Sequence, residues 1–157
     1  MRRTILMTLV LLFGHLTFAS NNQNLTWDLD ISFDNIQVWK KSHKRLTVED
    51  KNSNNKIENY TKEKIRKYLD QRNKILKYSD FSDFKTDSLK FTKKKDYIHL
   101  YKLGSYQNSR AKKIYLAEIH RLYKDRTIIT MLSSEKKLTK EDIKDLKLKF
   151  QFVTEQR

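Results

Sequence analysis

The sequence predicts an α+β domain: a small antiparallel sheet of about four to six strands, covered by one helix from the N-terminal half and another at the C-terminus. Three observations predict it. Leu25–Phe33 alternates apolar and polar residues, as a strand with one buried face does. Thr61–Tyr78 and the residues after Thr139 repeat apolar side chains every three or four positions, as amphipathic helices do. Between them lie apolar and β-branched runs separated by short polar turns. Strands joined that way pair antiparallel, and two amphipathic helices then cover the apolar face of the sheet.

In chain order, Leu25, Trp27, Leu29, Ile31 and Phe33 form one face of the first strand. Asp34-Asn35 signals a turn and Ile36–Lys40 a short returning strand. Lys41–Tyr60 is polar and aperiodic, and reads as a long loop. The helix that follows places Ile65, Tyr68, Leu69, Arg72, Ile75 and Leu76 on one stripe, with Glu63–Lys67 and Asp70–Lys74 as i,i+4 pairs. Ser79–Ser88 reads as loop, with Phe81 and Phe84 three apart. Leu89–Thr92 and Tyr97–Leu103 are strands around Lys93-Lys94-Lys95-Asp96. Ile114–Tyr123 is apolar on nearly every side, so strand and helix both fit; the turn Lys124-Asp125-Arg126 and the β-branched Thr127–Leu132 favour a hairpin. At the end, Thr139 is placed to cap a helix through Ile143, Leu146, Phe150 and Val153, with Leu138 and Ile143 as a hydrophobic staple.

Ahead of these elements, Met1–Ala19 reads as an export signal. Arg2 and Arg3 precede a mostly apolar stretch, and Thr17 and Ala19 offer the small side chains that precede a cleavage site. The apolar run is short for a membrane span and is followed at once by polar Ser20–Asn24. The expected domains are thus a signal peptide, 1–19, and one α+β domain, 20–157, working in the periplasm or outside the cell.

Composition excludes several chemistries. The chain of 157 residues has no Cys and only 2 Gly, so thiolate catalysis, disulfides and cysteine-held metals are excluded. Gly104 is the one glycine after the leader, and phosphate-cradling loops need several. No cofactor motif is present.

With 34 Lys and Arg against 19 Asp and Glu, the formal net charge is +15. That charge points to an anionic partner such as a polysaccharide, lipid headgroups or an acidic protein. By local density the expected contacts are Lys40, Lys41, Lys44 and Arg45, with Lys93, Lys94 and Lys95; Arg110, Lys112 and Lys113 form a third group. Lysine outnumbers arginine in them, which disfavours sequence-specific reading of nucleic acid, where the guanidinium fork dominates.

Three other constellations stand beside the charge. Asp50, Asn52 and Asn54 occupy positions 1, 3 and 5 of a calcium-loop pattern. Asn55 replaces the glycine at position 6 and Thr61 the glutamate at position 12, so an Asn-rich loop is the better reading. Glu118 and His120 share one strand face, and His99 lies in a neighbouring strand. If the faces match, His99, Glu118 and His120 converge as a general acid–base set for a small secreted hydrolase of ribonuclease type. The plainer reading has Glu118 and His120 at the margin of the face carrying Ile114, Leu116 and Leu122. Trp27, Trp39, Tyr97, Tyr101, Tyr115 and Tyr123 read as core rather than as a stacking platform. The expectation is therefore an exported, non-enzymatic binding or accessory domain, with the hydrolase as the alternative. An inhibitor or immunity partner has no feature for or against it.

Overall fold

The computed structural model describes residues 27–33, 35–56, 60–77 and 81–155. The expected leader and the first two residues of the expected first strand lie outside the described residues. Among the described residues nine elements follow in order: β1 (Asp28–Phe33), β2 (Ile36–Lys41), β3 (Lys44–Asn52), α1 (Lys62–Lys77), β4 (Ser82–Lys93), β5 (Tyr97–Gln107), β6 (Lys113–Tyr123), β7 (Arg126–Ser134) and α2 (Lys140–Glu155). None of the described helices is long and apolar enough to cross a membrane.

All seven strands join one antiparallel sheet in the order β1-β2-β3-β7-β6-β5-β4. The α+β class stands, but the expected small sheet of four to six strands does not. Two stretches read as loop are strands. β3 lies within Lys41–Tyr60, where Leu46 and Val48 bury their side chains while polar residues alternate with them. It is held by ladders on both sides, to β2 and to β7. β4 starts at Ser82, within the expected loop, as a mostly exposed edge strand that pairs with β5 alone.

The sheet is two meanders, β1–β3 and β4–β7, that meet where β3 pairs with β7. α1 carries the chain from the middle of the sheet to its far edge, and so lies across one face. The expectation that both helices share one face is overturned. Ile65 and Leu69 of α1 pack on Ile98, Leu100 and Leu122. Leu146 and Phe150 of α2 pack with Trp39, Leu46, Ala117, Ile119 and Leu132. In β6, Ala117 and Ile119 alternate with Glu118, His120 and Leu122, so the two clusters lie on opposite faces. β6 is buried on both sides, which is why its sequence is apolar all round.

The α2 start follows the sequence: the Asp142 amide donates to Thr139 Oγ1 at 3.2 Å, and Asp142 Oδ2 accepts from the Thr139 amide at 2.9 Å. The single face expected for β1 is broken by a bulge. Leu29 pairs with Trp39 but Ile31 pairs with Val38, so Ile31 and Phe33 turn to the α1 side while Leu29 stays on the α2 side.

Candidate functional site

Two groups of polar side chains stand out, one sealed and one open. The sealed group lies under α1. Glu118 and His120 are fully buried, and Lys102 is 3% exposed. The strand register sets them side by side: Lys102 pairs with Glu118, and Leu100 with His120. From above, Arg72 of α1 reaches Glu118 Oε1 at 3.4 Å and Glu49 Oε2 at 3.0 Å, and Lys102 Nζ lies 3.0 Å from Glu118 Oε2. Two carboxylates therefore meet one buried and one partly buried cation, a balance that keeps unpaired charge out of the interior.

Burial works against ionisation of Glu118, but the adjacent His120 ring, Lys102 and Arg72 outweigh it and hold the carboxyl well below the usual range. Burial lowers the His120 pKa despite Glu118, so the ring is neutral near pH 7. Burial also raises the Tyr68 hydroxyl. Its oxygen lies 2.8 Å from His120 Nδ1, and His120 Nε2 lies 3.7 Å from Glu118 Oε2.

The suggested convergence of His99, Glu118 and His120 does not occur. His99 pairs with Arg121, on the α2 face, with its ring 5.7 Å from Phe150. Glu118 and His120 face α1 on the other side of the sheet. A general acid and base must reach one substrate; here one member is separated from the other two by the sheet, and those two are buried.

The calcium-like pattern also serves the fold. Asp50 and Asn52 are part of β3. Past it, the Asn55 side-chain amide donates to the Tyr123 carbonyl at 2.5 Å and to Thr127 Oγ1 at 3.1 Å, tying the exit of β3 to the β6–β7 turn. Positions 8 to 10 of the pattern, residues 57–59, lie outside the described residues. Among the described residues no three His, Asp or Glu side chains are grouped to hold a metal ion. Of the aromatics, Trp39 is buried in the α2-side core, with Trp27, Tyr101 and Tyr123 packed against it.

The open group is a cleft of about 430 Å³ at the opposite end of the α1 face. A helix of 16 residues spans about 24 Å, whereas strands of 11 residues run about 36 Å, so α1 leaves part of that face uncovered. One wall is the β2–β3 turn, with Lys40, His43, Lys44 and Arg45. Ser42 there has φ of 54°, which closes the two-residue turn. The other wall carries Phe81, Tyr106, Asn108 and Ile114, and Ser133, Ser134 and Glu135 lie at the end of β7 between the walls.

Four of the seven expected basic contacts are thus at this end. Lys40, Lys44 and Arg45 line the cleft, and Lys41 places its ammonium 5.9 Å over the Trp27 ring. Lys93, Lys94 and Lys95 are not with them. They sit at the β4–β5 turn, at the other end of the strands, so the two basic groups form separate surfaces. Lys44 is paired with Asp142, and Lys40 with Asp30 at 2.7 Å. The one carboxylate of the lining, Glu135, is 3.4 Å from Lys112. Arg45 is exposed and has no ion-pair partner among the described residues.

Phe81, Tyr106, Asn108 and Ser133 escaped the reading of the sequence. They come from three separate segments, and only the Phe81/Phe84 spacing gave any local signal. No model of a known protein family matches the chain, and no curated protein matches it, so a function has to be argued from this geometry.

Proposed function

We propose that the chain is an exported, non-enzymatic binding or accessory domain that holds an anionic polymer of the cell envelope at the β2–β3 end of its sheet. One observation carries this reading: Lys40, His43, Lys44 and Arg45 line a single concavity in which, among the described residues, the one lining carboxylate already has a lysine partner. A concave site takes a group that projects from a chain, which favours a polymer over the flat surface of a membrane. The basic net charge adds long-range attraction for such a partner. Lys40, Lys41, Lys44 and Arg45 are the proposed contacts.

Retention of the purified protein on immobilised heparin, followed over a salt series, tests the reading. Retention beyond physiological ionic strength is expected, because clustered charges survive screening better than scattered ones. Elution at low salt would overturn it. The same preparation should leave RNA and model phosphodiesters unchanged. Its intact mass should begin at Ser20; a retained Met1 would remove the export half of the proposal.

A further inference from the structure

The cleft is more selective than its charge alone requires. Lys40 and Lys44 share their charge with carboxylate partners, whereas the Arg45 guanidinium has no ion-pair partner among the described residues and is the cation that takes an incoming acid directly. Its flat fork suits a carboxylate or a phosphate in a two-pronged contact. Strand register puts Arg45 opposite Lys40 on β2 and Ser133 on β7, on the α1 side of the sheet.

Apart from His43 and the lysine-paired Glu135, the remaining lining offers small neutral hydrogen-bonding groups and the apolar wall of Phe81 and Ile114. Ser42 and Ser133 supply hydroxyls, which are held in place by His43 Nδ1 at 3.2 Å and by the Tyr106 hydroxyl respectively and keep a further lone pair for a ligand. Asn108 Oδ1 accepts from the Arg110 and Lys112 amides, each at 3.0 Å, which fixes the side chain and leaves its NH₂ to donate. The Tyr106 ring is engaged by Phe81 at 4.8 Å and Phe84 at 5.8 Å between centroids. That leaves less open aromatic face than a platform for stacked bases presents. Hydroxyl and amide partners in number, one free guanidinium and an apolar wall match the hydroxyls, the acid and the C–H face of a sugar ring.

We propose that this cleft binds an acidic sugar residue of a polymer. Its carboxylate lies on Arg45, its hydroxyls on Ser42, Ser133 and Asn108, and its ring lies against Phe81. The proposal rests on the polyanion-binding reading and names the unit that is read.

The test titrates the purified protein with trigalacturonate, neutral galactotriose and AMP by calorimetry, and follows backbone amide shifts by NMR. Saturable binding of trigalacturonate is expected, with the largest shifts at Arg45, Asn108 and Ser133. Galactotriose should bind at least tenfold more weakly, the order of effect of one charge-assisted contact. Arg45→Met should weaken trigalacturonate about tenfold or more, Arg45→Lys should restore only part of it, and neither should move the Tm, since Arg45 is exposed. Heparin retention that persists without saturable trigalacturonate binding overturns the sugar proposal and leaves polyanion binding standing. AMP binding more tightly than trigalacturonate overturns it in favour of a nucleotide. Loss of heparin retention by the wild-type protein overturns the reading on which it rests.

Discussion

Arg72 of α1 and Glu118 of β6 meet at 3.4 Å across the helix–sheet boundary, the arginine side chain 13% exposed and the glutamate 1%. This contact joins α1 to β6, an interior strand of the sheet beneath it. It also explains why a carboxylate stands among the buried apolar residues of β6. Glu118 is an anchor point for Arg72 and Lys102 rather than a group facing solvent.

Removing that anchor is therefore costly. Glu118→Gln leaves Lys102 and Arg72 without their shared carboxylate, and about 3–5 kcal/mol of stability should be lost, as for other buried pairs deprived of one partner. The double variant Glu118→Leu/Lys102→Met should cost less than Glu118→Gln alone, because it removes both charges. Urea unfolding measures both; a double variant as unstable as the single one would contradict a charge-balancing role.

Acid should weaken the fold in two stages. Burial lowers the pKa of His120, and burial together with Arg121 and Lys94 lowers that of His99, so both rings are neutral when folded. The unfolded chain takes up protons first as pH falls through about 6.5, and stability drops from there by up to about 1.4 kcal/mol per pH unit for each histidine. Glu49, Glu118 and Asp142 all have lowered pKa values in the fold, burial being opposed by Arg72 and Lys51, by His120 with two cations, and by Lys44 with Thr139 respectively. Their contribution is complete above the unfolded carboxylate value of about 4 and is lost as pH falls toward the folded values. Denaturation midpoints from pH 8 to pH 3 should show a decline beginning below about pH 7 that steepens below about 4.5. His120→Asn should flatten the first part.

Gly104 serves no loop; it sits inside β5, and it is there for space. A Cβ at this position would lie 2.2 Å from the Lys85 carbonyl oxygen of β4, next to a register shift between Thr86 and Ser88. Gly104→Ala should therefore cost about 1–3 kcal/mol or more through overpacking. Hydrogen exchange should show the loss concentrated in β4. By contrast, Phe33→Asp, at a position 72% exposed, should change stability by no more than about 0.5 kcal/mol.

The α2 cap offers a separate reading of local energetics. Thr139→Ala removes the acceptor for the Asp142 amide and should cost about 1 kcal/mol by thermal unfolding. It should leave heparin retention unchanged, since Thr139 is not part of the cleft.

What could be read from the chain alone divides along physical lines. α1 and α2 were legible because each keeps a one-sided apolar stripe and α2 carries its own cap. The β6–β7 hairpin was legible from its turn and its β-branched second strand. β3 was hidden because Leu46 and Val48 are its only buried apolar residues; its stability comes from two ladders that the sequence does not announce. β4 begins in a polar stretch because an exposed edge strand needs little apolar surface. The bulge in β1 shows how a faultless alternation can still face two ways, since one extra residue reverses every side chain after it. The basic residues were visible by position, but not that Lys40–Arg45 and Lys93–Lys95 occupy opposite ends of the strands. The cleft itself needed the third dimension, because Arg45, Tyr106 and Ser133 meet only through the pairing of distant strands.

Charge reversal at the two ends of the sheet tests the central claim most directly. Heparin retention should be compared for Lys40→Glu/Arg45→Glu and for Lys94→Glu/Lys95→Glu, two variants with the same net charge. The first should elute at a far lower salt concentration than the second, which should run close to the wild-type protein. Equal losses in both would show that total charge, and not the cleft, governs the interaction.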